Sequence, residues 1–215
     1  MDFESLQTKY DGFQTPTAVI KINDRMVTDE KLPFQISDIE VDLTCGYEAS
    51  IASFHIYNVY STVKGQFETE EIQKYIYLGS KVEIYLGYGA TAKLVFVGVI
   101  AKVAYQMLEY EVPCIQVTSM DAKSIMMAGN YSRQLKATQF TEAAKEILMK
   151  TAYARLQSKG IIRNIQVSQP VLKPSVDGAS ADQTIEMVAE SDYEFLVKLA
   201  KKNNYEFFCE CGDVI

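Results

Sequence analysis

Apolar and polar residues alternate with a period of two over most of the first half of the chain, the pattern of half-buried strands. Thr17–Ile22 is one such run, closed by the turn pair Asn23 and Asp24. Phe34–Leu43 also alternates, but its phase slips by one residue between Ile36 and Ile39, which predicts a β-bulge. Beyond the slip, Ile39, Val41 and Leu43 point to one side and Asp38, Glu40 and Asp42 to the other. Ser50–Asn58 sets Ala52, Phe54 and Ile56 against Ser53, His55 and Tyr57. Lys81–Tyr88, Leu94–Val103 and Val112–Met120 are further strands, the first with Val82, Ile84 and Leu86 inward. Gly98 lies inside the second of them, where a missing side chain predicts a bend or a close backbone approach. Between the third and fourth strands, Glu68–Tyr77 has helical spacing through Ile72, Tyr75 and Ile76. Glu68, Glu70 and Glu71 stand at the end where the helix dipole favours them. Six or so short strands and one helix describe a small antiparallel β-barrel or sandwich.

The period changes after Lys123. Ala143, Ala144, Ile147, Leu148 and Thr151 recur at helical spacing, which predicts one helix over Gln139–Ala154 with Thr138 or Thr141 as cap. Ile161–Val167 reads as a short strand. Gln169–Ser180, with two prolines and several serines, reads as a loop. Gln183–Val188 is a strand or an early helical turn. Ser191 and Glu194 then form the S-x-x-E capping box. Phe195, Leu196, Leu199 and Ala200 make an apolar stripe, and Lys198, Lys201 and Lys202 suit the helix C-terminus. Past Asn203 and Asn204 the period returns to two, so that Tyr205, Phe207, Cys209 and Cys211 share one strand face. An aromatic strand beginning so near Ile215 is expected to find its partner strands in a continuing chain or in another subunit. The fold class is α+β: a small antiparallel β-barrel, then a helix-containing region that ends in a further strand.

Composition narrows the function. Hydrophobic residues at 48% and charged residues at 23% are ordinary for a globular chain. A net charge of −7 argues against stable nucleic-acid binding, since phosphate contacts need a basic surface. No basic and apolar leader opens the sequence, and no apolar run is long enough for insertion in a membrane. Cys45, Cys114, Cys209 and Cys211 are expected as free thiols.

Chemistry finds little purchase. His55 is the only histidine, so any Ser-His-Asp or Cys-His triad must use it, and no G-x-S-x-G elbow is present. Cys209 and Cys211 would need about two further ligands to hold a metal. No phosphate-cradling glycine loop occurs, and the absence of Trp weakens a sugar platform. The expectation is no catalytic residue, no metal and no cofactor. Tyr47, Tyr57, Tyr75, Tyr77, Tyr85 and Tyr88 suit either interfaces or gaps within the barrel.

The segment Glu190-Ser191-Asp192, followed by Phe195, Leu196, Leu199 and Ala200, a polar turn and an aromatic strand, resembles the baseplate hub proteins of contractile injection systems. These are the phage late control protein D family and the N-terminal part of the VgrG spike proteins. Val82, Gly87, Phe96, Gly98, Ile100 and Asp121 match the family's first barrel in the same order. Lys198 stands where the family usually has Arg, and Gln183 lies further upstream than the family's Gln.

The resemblance implies a structural protein rather than an enzyme. It implies an arm over residues 1–15, a tube-like barrel over 16–122, an α/β insertion over 123–182, and over 183–215 the helix and first strand of a second barrel. It implies a homotrimer that joins a hexameric tail tube protein to a trimeric central spike protein, beside other baseplate proteins. Assembly in the bacterial cytoplasm and residence in a virion tail or injection particle follow. Asp38, Glu40 and Asp42 read as a solvated strand face; in such a ring they would instead face the lumen and repel passing polyanions. A cell-wall hydrolase or a glycan-binding β-domain is the alternative.

Overall fold

The computed structural model describes residues 2–29, 31–137, 139–168 and 185–215. The expected loop over 169–180, Gln183 and the candidate cap Thr138 lie outside these residues. The chain folds as two compact units. One comprises residues 1–43 and 50–121, the other 44–49 and 122–215.

In the first unit α1 (Phe3–Lys9) is capped by Asp2, whose Oδ1 accepts the Ser5 N–H at 2.8 Å. This helix buries none of its residues, so the expected arm carried no apolar period to announce it. The strands are β1 (Pro16–Ile22), β2 (Arg25–Met26), β3 (Gln35–Asp42), β4 (Ile51–Tyr57), β5 (Tyr60–Ser61) and β6 (Gln66–Phe67). After the one-turn helix α2 (Glu70–Gln73) come β7 (Lys81–Tyr88), β8 (Thr91–Gln106) and β9 (Cys114–Met120). Seven strands form one antiparallel sheet in the order β2-β1-β7-β8-β9-β4-β3, while β5 and β6 make a separate hairpin.

The sheet coils because it is bulged. Register shifts occur between Ser37 and Glu40 on β3, opposite Ile84 and Tyr85 on β8, and between Ile100 and Lys102 on β8. An extra residue on one strand bends it and increases its twist. The first bulge is the predicted phase slip, and Asp38 takes its positive φ of 52°. The coiling brings Ile20 and Ile22 of β1 into one core with Phe54 and Ile56 of β4, Ile84 of β7 and Phe96 of β8. Ile36, Ile39 and Val41 of β3 pack on the same core. Strands at opposite ends of the sheet order thus enclose a shared interior, as in a barrel. Leu43, expected on the inner face, follows the last residue of β3 and is 56% exposed.

The second unit begins with α3 (Lys123–Met126) and β10 (Tyr131–Gln134). The single helix expected over Gln139–Ala154 is two helices, α4 (Phe140–Leu148) and α5 (Thr151–Ser158). They part at Lys150, whose ψ of 153° is extended. Gln139 occupies the N-cap of α4, and Thr141 lies inside the helix. β11 (Asn164–Ile165), β12 (Glu186–Glu190), α6 (Asp192–Lys202), β13 (Cys209–Glu210) and β14 (Asp213–Val214) follow.

β12 pairs antiparallel with β10. β14 pairs antiparallel with β13 and parallel with β11. Cys211 is therefore not on a strand face with Cys209. It forms a two-residue turn with Gly212, at φ 48° and 92°, the left-handed pair that a tight hairpin requires. The hairpin also supplies partners that the sequence reading sought elsewhere. Phe208 and Ile215 exchange two backbone hydrogen bonds, and β11 takes the far edge of β14. The core is the α6 stripe of Phe195, Leu196, Leu199 and Ala200 against Ala143 and Ile147 of α4 and Met187 of β12.

Candidate functional site

The strongest polar constellation in the second unit gathers at the head of α6. Ser191 is the N-cap. Its Oγ accepts the Glu194 N–H at 3.1 Å, and Glu194 Oε2 accepts the Ser191 N–H at 2.8 Å. The Ser191 N–H, and then the Ser191 hydroxyl donating to the same oxygen at 2.9 Å, hold the Glu194 carboxyl below its ordinary range. With the cap fixed, Asp192 points inward and is 6% exposed. The Lys150 ammonium donates to its Oδ1 at 2.5 Å and the Tyr153 hydroxyl to its Oδ2 at 2.7 Å. Arg133 lies 3.9 Å away and rests on the Tyr131 ring, 4.5 Å from its centroid. Burial lowers the Lys150 ammonium against the pull of Asp192. Burial, and then the bond to Asp192, raise the Tyr153 phenol well above its usual range. Beside this cluster Glu190 forms an ion pair with Lys198, at 2.7 Å through Oε2. Both Asp192 oxygens are occupied, so the arrangement is a lock between α6, β10 and the α4–α5 break, not a base awaiting a substrate.

Residues 44–49 are bound to this unit by a second set of contacts. Lys123, 0% exposed, donates to the carbonyls of Gly46, at 3.1 Å, and of Glu48. The Tyr47 hydroxyl donates to the Tyr205 carbonyl at 2.9 Å, Tyr193 donates to the Tyr47 carbonyl, and Lys201 lies over the Tyr47 ring. Sequence reasoning missed this strap. Three of the four polar acceptors are backbone carbonyls in the strap itself, which no side-chain pattern reports.

In the first unit Phe96 and Gly98 are buried on β8, and Asp121 closes the end of the β4–β9 pair, its Oδ2 accepting the Ser50 N–H at 2.9 Å. Asp38, Glu40 and Asp42 are exposed on β3, the last strand of the sheet. Charges there deter pairing with a stray strand. His55 lies on β4 with its Nδ1 3.8 Å from Asp38 Oδ2 and its side chain 22% exposed. The Tyr57 hydroxyl donates to the same Asp38 oxygen at 2.6 Å, and that bond pushes the phenol up to about 12. A raised pKa means that the folded form holds the proton more tightly. The contribution is intact below the ordinary tyrosine value of about 10 and is lost as pH rises through about 12. In Asp38→Asn, one tyrosine is expected to ionise about two units earlier in an ultraviolet titration. An unchanged titration would show that the bond does not persist in solution.

The predicted residues thus fall into separate places. Glu190, Ser191, Asp192, Phe195, Leu196, Leu199 and Ala200 build the head and stripe of α6. Phe96, Gly98 and Asp121 belong to the barrel, and the acidic triplet to its last strand. Among the described residues no three His, Cys, Asp or Glu side chains are placed to hold a metal, and no helix is long and apolar enough to cross a membrane.

No protein-family model matches the sequence, and no curated protein matches it. Solved structures with a similar fold include two tail proteins. One is the tail protein from Neisseria meningitidis MC58, with a TM-score of 0.55 and 12% identity over 93% of this chain. The other is the 43 kDa tail protein of prophage MuSo2 from Shewanella oneidensis, with a TM-score of 0.55 and 14% identity over 92% of this chain. The chain spans about half the length of each, 50% and 51%. At these identities the likeness is one of fold alone.

Proposed function

We propose that this chain is a structural tail component, and within the tail a baseplate hub subunit joining the hexameric tube to the trimeric spike. The observation that carries the reading is the fold likeness to two tail proteins over nine-tenths of the chain, through both units. Two features of the molecule agree with it. The Asp192 lock and the capping box occupy the segment whose wording resembles the hub family. The formal net charge of −7 belongs entirely to the barrel unit, since acidic and basic side chains in the other unit balance. In a ring of three chains, Asp38, Glu40 and Asp42 on an exposed strand would give the channel an acidic lining past which DNA or acidic cargo slides. The work is symmetry matching and transmission of force, with no bond made or broken.

Cryo-electron microscopy of tail particles carrying the tagged chain tests this directly. The expected result is three copies between tube and spike, with the three acidic side chains facing the channel. Absence from the particle, or hydrolysis of peptidoglycan by the purified chain, would overturn the hub reading. A triplet facing away from the channel would overturn the lining alone.

A further inference from the structure

The only histidine of the chain stands at the first bulge of the barrel. His55 of β4 pairs with Ser37 of β3, the last residue before the register shift, and Asp38 beside it takes the left-handed φ of 52°. β3 is the end strand of its sheet, so among the described residues β4 alone pairs with it. His55 Nδ1 is shielded from solvent and has no hydrogen-bond partner among the described residues. Asp38 Oδ2 lies 3.8 Å from it, beyond hydrogen-bond length. A buried nitrogen left unpaired is costly, and the carboxylate that could pair with it stands one short movement away. The Asp38 side chain is 57% exposed and has room to make that movement. A carboxylate oxygen accepts more than one donor, so the 2.6 Å bond from the Tyr57 hydroxyl need not break.

The other groups around the bulge hold their charge state near neutral pH. Tyr57 keeps its proton, because the bond to Asp38 pushes the phenol up to about 12. Burial pushes the Cys114 thiol of β9 up, and Glu111 of the β8–β9 turn adds to both effects. Opposite His55 on β9 is Gln116, and beyond it on β8 is Ala104, neither of them charged. Glu40 pairs with Ser53, two residues along β4, and Lys102 stands two strands away on β8, opposite Thr118.

We propose that His55 and Asp38 form an acid-closed clasp on the end strand: a second proton on the imidazole draws the Asp38 carboxylate onto Nδ1–H and pins the bulge of β3 to β4. The inference goes beyond the tail reading and does not draw on it. A neutral imidazole donates from one ring nitrogen, whereas the imidazolium donates from both and attracts the carboxylate by charge. The clasp therefore exists where imidazole is charged and carboxyl is ionised, between their ordinary values of about 6.5 and about 3.9. It opens as pH rises past the upper value and again as pH falls past the lower. Water screens a pair whose side chains are 22% and 57% exposed. The gain is accordingly about two- to fivefold in the equilibrium between held and open bulge.

Native-state hydrogen exchange of the β3 amides, read by mass spectrometry at about pH 5.5 and about pH 8 and corrected for intrinsic rates, tests the clasp on the wild-type chain itself. Relative to β7, β3 is expected to be about two- to fivefold better protected at the lower pH. His55→Gln and Asp38→Asn are each expected to abolish that difference, and the double variant to behave as either single one. Circular dichroism checks that the variants fold, and the wild-type comparison stands without them. β3 protection that is the same at both pH values, or a pH difference that survives in either variant, would overturn the clasp. Absence of the chain from tail particles would defeat the tail reading and leave the clasp untouched.

Discussion

Asp192→Ala is expected to cost about 3 kcal/mol of stability in the second unit, a loss typical of removing one partner from a buried ion pair. The magnitude comes from what is stranded, not from the bond removed. Lys150 and the Tyr153 hydroxyl both donate to this carboxylate, and Arg133 stands 3.9 Å from it. Without Asp192, two cations face each other across a partly buried space and the phenol loses its acceptor. Asp192→Asn keeps the volume and one acceptor oxygen, so its cost is expected to be smaller but of the same sign. Urea unfolding followed by far-ultraviolet circular dichroism reads the change. The double variant Asp192→Asn/Lys150→Met separates the lock from simple loss of helix-end charge. If the pair is coupled, the double variant recovers part of the single variant's loss, by about 1 kcal/mol or more. Strict additivity, or a loss below about 0.5 kcal/mol in Asp192→Ala, would show that the cluster is solvated and contributes little.

The same cluster shows where the sequence is informative. Ser191 and Glu194 were legible because a capping box is local, its two members three residues apart on one turn. The apolar stripe behind it was legible for the same reason. The partners of Asp192 were not. Tyr153 and Lys150 lie 39 and 42 residues away, and no local pattern marks them. The break that frees Lys150 from the helix was also hidden, because Ile147, Leu148 and Thr151 keep helical spacing straight through it. The β13–β14 hairpin was missed by a similar route. Alternation ran unbroken from Tyr205 to Cys211, and Cys is not a residue that announces a left-handed turn, although Gly212 is. In the barrel the reverse holds. Period-two runs and a single phase slip place every long strand and the bulge at Asp38, since register there is enforced by one buried face. The two-residue strands and the α1 helix bury too little to leave a trace.

Gly98→Ala is expected to be among the most damaging single-methyl changes in the barrel. Gly98 pairs with Val82 on β7 while β8 turns toward β9 between its two bulges. A Cβ built there would lie 2.3 Å from the Met120 carbonyl oxygen and 2.7 Å from Phe96 Cζ. Phe96 is a 2% exposed core ring with nowhere to retreat, and the Met120 oxygen is backbone in the neighbouring strand. Relief therefore requires β8 and β9 to part between the two bulges of β8. The expected cost is about 2–3 kcal/mol for Ala, and more for Val, which should leave the barrel unit unfolded or insoluble. Gly65 gives the control. Its φ is 65°, yet nothing lies within 4 Å of a Cβ there. Gly65→Ala thus carries only the left-handed backbone strain of about 1 kcal/mol. Thermal unfolding of the two variants side by side separates crowding from backbone strain. If Gly98→Ala were no worse than Gly65→Ala, the close approach of β8 and β9 would be soft. The coiled sheet would then owe its curvature to the bulges alone.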